Sequence, residues 1–300
     1  MSVSRRKLLR ALLGTTATGL AQPAIALNAF ANAKQPSNSE PWLTLPDTPE
    51  LPPGGNHAVA DLNGTPIFFS QFGKGPNVLM LHGGLANSNY WGHQVRELAQ
   101  SFLVTVMDTR GHGRSAVTSD SFSYAQFARD VVSLLKHLGI SKSAVVGWSD
   151  GAITGIELAL ARPDLVSGLF AFGANTNLGG LKAGGAQTAT FRLFSERCRR
   201  EYLSLSPHPE RWSRLHSALV SMWRSQPNLE WKQLSAIEIP VLIAAGEHDE
   251  IIRLDHAKRI STEIPRAQLT VLKTVSHFAF LQDPPQFNAP LLQFLSKTLS

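Results

Sequence analysis

The segment Gly147-Trp148-Ser149-Asp150-Gly151 places a hydroxyl between two glycines, directly after the apolar run Ser143–Val146 and ahead of a helical pattern. A serine so placed becomes a nucleophile only if a base takes its proton and donors receive the oxyanion formed on the attacked carbonyl. The pentapeptide alone is common, so its partners must come from elsewhere in the chain. Histidine titrates near neutrality and can accept the serine proton and return it to a leaving group. His277 is the candidate because it follows the last apolar run, "QLTVLKTV". Asp249, just past Gly246 at the end of "IPVLIAAG", can orient that imidazole and stabilise its cation; Glu247, Glu250 and Asp255 are rivals for the role. Gly147 and Gly151 remove side chains that would crowd a tight strand-to-helix turn. A helix beginning at the serine makes the backbone N–H of Asp150 an oxyanion donor, and Gly84 in the "LHGG" turn offers a second. Each such donor is worth ~10²- to 10³-fold in rate.

These residues need a scaffold that brings distant positions to one edge. The runs "NVLMLHG", "FLVTVMD", "SAVVGWS", "VSGLFAFG", "IPVLIAAG" and "QLTVLKTV" are short and rich in Val, Leu and Ile without clean polar alternation. Strands covered by helices on both faces have that composition. Amphipathic segments such as 123–138 and 150–162 lie between them, and strands alternating with helices imply an α/β fold with a mostly parallel, doubly wound sheet. Ligands bind such sheets beyond the carboxyl ends of the strands, where Gly84, Ser149, Asp249 and His277 all fall. "HAVADLNGTPIFFSQFGKG" adds a hairpin turning at Asn63-Gly64, which brings the expected sheet to eight strands. Residues 178–235 contain no strand run; "FRLFSERCRREYLSL" and "RWSRLHSALVSMWRSQ" have helical spacing and predict a helical cap within a domain spanning 57–300. Its Arg192, Arg197, Arg199, Arg200, Arg211 and Arg214 read as a solvated face. Asp108, Arg110, His112 and Arg114 in "DTRGHGRS" read as loop braces, His82 as a support for the Gly84 turn, and Trp148 as pocket wall.

The formal charge of +6 suggests an anionic partner until its distribution is considered. Residues 1–33 carry Arg5, Arg6, Lys7 and Arg10 and no carboxylate, leaving 24 basic against 22 acidic residues in the remainder. A nucleic-acid partner requires a concentrated basic face, so that class is set aside. The basic head, mildly apolar middle and small residues of 1–33 have the anatomy of a cleaved export signal, and "SRRKLLR" resembles a bacterial twin-arginine signal. Cleavage is expected after Ala33, with Ala26 the second choice, and delivery to the periplasm by the export machinery. A stable membrane anchor would need about 20 predominantly apolar residues, and Gly14, Thr15, Thr16 and Gly19 interrupt the stretch. Residues 34–56, with Pro36, Pro41, Pro46, Pro49, Pro52 and Pro53, read as an extended linker or arm. Cys198 is the only cysteine, so no intrachain disulfide can form.

The order Ser149, Asp249, His277 completes a pattern. "MLHGGLANSNYW", "MDTRGHGRS", "VVGWSDGAITGIELALARPDLV", "GEHDE" and "VSHFAFLQDPPQF" together resemble the α/β-hydrolase fold superfamily from His57 to the C-terminus. "GWSDG" further resembles the valacyclovir hydrolase-like and enol-lactonase-like serine hydrolases. The resemblance implies a Ser149–Asp249–His277 triad, a cap after the sixth strand, and no metal or organic cofactor. It also implies that an acidic residue after the nucleophile reads an α-ammonium group, which would make Asp150 a substrate contact beside Trp148. A carboxylate in the first turn of a helix is favoured by the dipole in any case. The expected activity is hydrolysis of a small-molecule carboxylic ester or lactone through an acyl-enzyme. A cofactor-free perhydrolase resembling haloperoxidases and a noncatalytic small-ligand binder are the alternatives. Dehalogenase and epoxide-hydrolase chemistry would require a carboxylate nucleophile where Ser149 stands.

Overall fold

The computed structural model describes residues 40–119 and 121–300. The export signal read over 1–33, and the start of the proline-rich segment, lie outside the described residues. The hairpin forms β1 (Asn56–Leu62) and β2 (Thr65–Phe72), and the six apolar runs form β3 (Asn77–Leu81), β4 (Leu103–Met107), β5 (Ser143–Trp148), β6 (Val166–Phe172), β7 (Val241–Gly246) and β8 (Ala267–Leu272). The strands join one eight-stranded sheet in the order β1-β2-β4-β3-β5-β6-β7-β8. β1 and β2 pair antiparallel, as do β2 and β4, and the remaining neighbours are parallel. Every residue of β5 and β7 is buried, as their uninterrupted apolar composition requires. β8 departs from that expectation: only Leu272 is fully buried, because the strand closes the sheet edge and pairs on one side alone.

The helices are α1 (Gly92–Leu98), α2 (Tyr124–His137), α3 (Asp150–Ala161), α4 (Ala189–Leu205), α5 (Trp212–Trp223), α6 (Trp231–Leu234), α7 (Leu254–Glu263), α8 (Ala279–Gln282) and α9 (Pro284–Leu299). α3 packs with α2 and lies against β3, β5 and β6, whereas α9 packs with α1 and α8 and reaches β5, β6 and β8. α4, α5 and α6 all fall between β6 and β7, over the stretch that lacks a strand run. The segment 40–55 lies outside the sheet, with a 3-10 turn at Pro41–Leu43 and a second turn at Pro53-Gly54, and it buries Leu45 against the core.

One buried ion pair ties the hairpin to the parallel layer. Arg110 Nε and Nη2 donate to Asp130 Oδ2 and Oδ1, both at 2.5 Å, and Arg110 Nη1 donates to Thr65 Oγ1 at 3.0 Å. Asn63 Nδ2 donates to Asp130 Oδ1 at 2.9 Å. Both charged side chains are within 5% of complete burial, so neither charge can fall back on water. Asp130→Ala is therefore expected to cost about 3–5 kcal/mol by leaving the guanidinium uncompensated, measured as the loss of unfolding free energy in urea titration.

Candidate active site

Ser149 stands at the turn from β5 into α3 with φ 54° and ψ −120°, a left-handed conformation that a non-glycine residue rarely adopts. Such a backbone stores about 1–3 kcal/mol and persists only where its surroundings over-determine it. Here they do. Ser149 N–H donates to Phe172 O at 2.9 Å, and Ile153 N–H donates to Ser149 O at 3.0 Å. The two flanking glycines are required by close approach: a Cβ on Gly151 would lie 2.1 Å from Leu81 O, and one on Gly147 would lie 2.4 Å from Gly151 O.

Asp249 and His277 are each 2% exposed and are joined by a 2.8 Å hydrogen bond from His277 Nδ1 to Asp249 Oδ2. The other carboxylate oxygen accepts the N–H groups of Ile251 at 2.8 Å and Ile252 at 2.7 Å. With both oxygens occupied the carboxylate cannot swing, and Nδ1 must carry the proton, which leaves Nε2 as the acceptor nitrogen. Burial is the largest influence on His277 and lowers its pKa. The charge and hydrogen bond of Asp249, then the charges of Glu250 and Asp150, outweigh burial and hold it above its ordinary value of 6.5. His277 and Ser149 both line one cavity of about 800 Å³. Among the described residues no hydrogen bond joins Ser149 Oγ to His277, a common slackness in unliganded sites.

The rivals for the acid have other work. Glu247 accepts from Lys273 Nζ at 2.8 Å and Thr274 N–H at 3.1 Å, and Asp255 pairs with Arg253 at the surface. Glu250 sits closer: its Oε2 accepts the backbone N–H of His277 at 3.1 Å, while Oε1 is buried with no hydrogen-bond partner among the described residues. Burial is the main reason its pKa is raised.

Gly84 lines the same cavity, and a Cβ there would come within 2.5 Å of both Asp150 Oδ2 and Trp223 Cζ2. The next residue, Leu85, has φ 64° and is buried. His82 holds this turn as a brace: its ring Nδ1 is 2.7 Å from Gly83 O, and its Nε2 accepts Thr109 N–H at 3.0 Å. Asp108 completes the support by accepting Ser88 N–H and Arg114 N–H, both at 2.7 Å.

The Asp150 side chain is buried beneath the cavity, where Oδ1 accepts from Tyr124 OH at 2.8 Å and Oδ2 from Trp223 Nε1 at 2.9 Å. Burial pushes its pKa up to about 6, against the opposing hydrogen bonds from Trp223 and Tyr124 and the charge of His277. Neither donor neutralises the carboxylate. Tyr124 and Trp223 escaped sequence reasoning because they come from α2 and α5 and bear no spacing relation to Ser149. Trp148 is 1% exposed and lines the cavity.

The cap arginines do not form one solvated face. Arg192, Arg199, Arg200 and Arg214 are exposed, Arg192 also lining the cavity, but Arg211 is half-buried and its Nη1 donates to Val117 O at 2.7 Å. Arg197 is buried because residues 45–47 lie over it. Among the described residues no cluster of three or more His, Cys, Asp or Glu side chains is arranged to hold a metal ion.

Residues 78–289 match the Alpha/beta hydrolase family, and the chain belongs to it. The human serine hydrolase BPHL is 26% identical over 255 residues, covering 79% of this chain and 86% of that protein. Among solved structures, Est816, an N-acyl homoserine lactone degrading enzyme, superposes with TM-score 0.68 at 25% identity, covering 79% of this chain and all of its own. The enol-lactonase of Burkholderia xenovorans LB400 superposes with TM-score 0.64 at 20% identity, covering 80% of this chain and all of its own, a likeness of fold. The protein is thus a hydrolase of the α/β fold.

Glu250 gives the site a measurable signature. Its negative charge favours the imidazolium of His277, so removing that charge must lower the His277 pKa. A general base works only when neutral, and the acidic limb of kcat/KM reports its pKa. Glu250→Gln is expected to move that limb to lower pH while retaining the Nδ1–Asp249 bond, as read from pH–rate profiles.

Proposed function

We propose that the protein is a serine hydrolase that cleaves a carboxylic ester or lactone through an acyl-enzyme on Ser149. His277 Nε2 takes the Ser149 proton as Oγ attacks the carbonyl carbon. The backbone N–H groups of Gly84 and Asp150 receive the oxyanion, and collapse of the tetrahedral adduct breaks the ester C–O bond as His277 protonates the departing alkoxide. A water deprotonated by His277 then attacks the acyl carbon and frees the acid with Ser149 restored. Asp249 fixes the imidazole and stabilises its cation. The observation that carries this reading is a serine on a strained turn opening onto the same cavity as a buried, hydrogen-bonded histidine–aspartate pair.

The carboxylate of Asp150 favours substrates with a cationic group near the reacting carbonyl, since its two hydrogen-bond donors are neutral and its charge faces no fixed cation on them. The basic head of residues 1–33 supports export to a bacterial periplasm as part of the same proposal.

Labelling by a fluorophosphonate and hydrolysis of p-nitrophenyl esters test the chemistry. Ser149→Ala and His277→Ala are expected to abolish labelling and lower kcat by about 10⁵- to 10⁶-fold. A wild-type protein that neither labels nor cleaves alkyl esters, aryl esters, lactones or aminoacyl esters would overturn the reading. Asp150→Asn, which keeps the backbone donor, is expected to cost about tenfold more on aminoacyl esters than on neutral esters of equal size. Equal losses on both would remove Asp150 as a charge reader.

A further inference from the structure

Residues 41–48 lie outside the sheet, a 3-10 turn at Pro41–Leu43 leading into extended backbone at Thr44, so the carbonyl groups beyond Pro41 have no ladder partners and must find donors elsewhere. Pro41 and Pro46 also lack the N–H that strand pairing would use. The donors come mainly from the cap. Arg197, on α4, spans two successive carbonyls: Nη2 donates to Leu45 O at 2.8 Å and Nη1 to Pro46 O. Thr190, at the start of α4, donates to Leu43 O at 3.3 Å, and Thr48 Oγ1 donates to Glu201 Oε1 at 2.5 Å near the other end of the helix. The segment thus grips α4 over most of its length.

The same residues also touch the loops that carry the chemistry. The Trp42 ring stacks on His248, the neighbour of Asp249, with centroids 3.8 Å apart and planes 12° from parallel. Thr44 O accepts from Gln282 Nε2 at 2.8 Å, and Gln282 in turn binds Ser276 through its backbone N–H at 2.7 Å and its hydroxyl at 3.0 Å. Ser276 immediately precedes His277. Glu201 Oε2 accepts from Asn87 Nδ2 at 3.0 Å, and Asn87 caps the 3-10 turn Ser88–Trp91 that follows the Gly84 loop. Meanwhile Phe191, Phe194 and Ser195 of α4 line the cavity above Ser149.

We infer that residues 41–48 are a strap that holds α4 over the cavity, and that Arg197 is a positioning residue acting through this strap on the part of the substrate that reaches Phe191 and Phe194. The catalytic consequence rests on Ser149 being the nucleophile; the mechanical link between strap and helix does not. A guanidinium that bonds two adjacent carbonyls fixes both position and direction, which a single ammonium cannot do. Releasing it frees α4 at its midpoint, so the side of the cavity that contacts a long acyl chain loosens while the turn at Ser149, built on β3, β5 and β6, stays in place.

The test compares the full chain with its Arg197→Gln and Arg197→Lys variants on p-nitrophenyl acetate and p-nitrophenyl decanoate, alongside amide hydrogen exchange read by mass spectrometry. Arg197→Gln is expected to raise KM for the decanoate about tenfold, the scale of a lost hydrogen bond from a charged group, with the acetate changed less than about twofold, because the short acyl chain does not reach the loosened wall. Exchange should accelerate together across residues 41–48 and α4, with β5 and β7 still protected, and Arg197→Lys should fall between the two. If Arg197→Gln does not fold, Thr48→Val removes a single hydroxyl from the same grip and should show the same coupled exchange. Unchanged protection of α4, or equal KM changes on both esters, would overturn the strap. Absence of fluorophosphonate labelling in the wild type would overturn the hydrolase reading instead, and the exchange comparison would still decide whether the strap holds the helix.

Discussion

The contact on which the site depends is the approach of the Gly151 backbone to the carbonyl groups of Leu81 and His82, where no side chain fits. It lets α3 begin directly against the end of β3, and that in turn forces the chain at Ser149 into φ 54°. A strained turn survives only on a rigid support. β3, β5 and β6 supply it as the middle of the sheet, with helices packed on them and nearly every residue buried. The same turn sets Gly84 beside Asp150, so Ser149, Gly84 and Asp150 are placed by one packing constraint.

Three carboxylates influence one imidazole, and their hydrogen bonds separate their roles. Asp249 is bonded by two backbone N–H groups and by His277. Asp150 and Glu250 have fewer donors for the desolvation they suffer, and burial raises both. Asp249 is thus the carboxylate held by hydrogen bonds at both oxygens beside His277, whereas Asp150 changes charge near pH 6. The local chain geometry, more than the residue type, decides which of the neighbouring acidic residues 247, 249, 250 and 255 faces the histidine. Asp249 wins because its side chain caps the N–H groups that follow it and turns the free oxygen inward.

Much of this was legible in the residues. Buried parallel strands must be apolar on both faces, so β3 to β7 announce themselves, and the polar residues that follow them must lie at one edge of the sheet. The glycines around Ser149 report a turn without space for side chains. What could not be read was contact made across the fold by residues with no periodic signature. Tyr124 is in register with the apolar face of α2, Trp223 ends a cap helix, and neither shows in sequence that it hydrogen-bonds Asp150. The edge strand β8 has the composition of an interior strand, and only its position reveals its partial exposure.

The proline-rich segment shows the same limit from the opposite direction. Its composition predicts extended backbone, and its described residues 40–55 stay outside the sheet, turning at Pro41–Leu43 and at Pro53-Gly54. Extended backbone outside a sheet is also a row of unsatisfied acceptors, however, and an arginine-rich helix nearby is a set of donors. Arg197 looks like its neighbours Arg199 and Arg200 in sequence, yet only Arg197 occurs on the face of α4 that meets Leu45 and Pro46. Helical phase distinguishes it: Arg197 lies on the same side as Phe194 and Cys198, both buried, whereas Arg199 and Arg200 are turned toward solvent. A chain segment and a cap helix that each seem peripheral thus satisfy one another, and the joint they form lies over the cavity that contains Ser149.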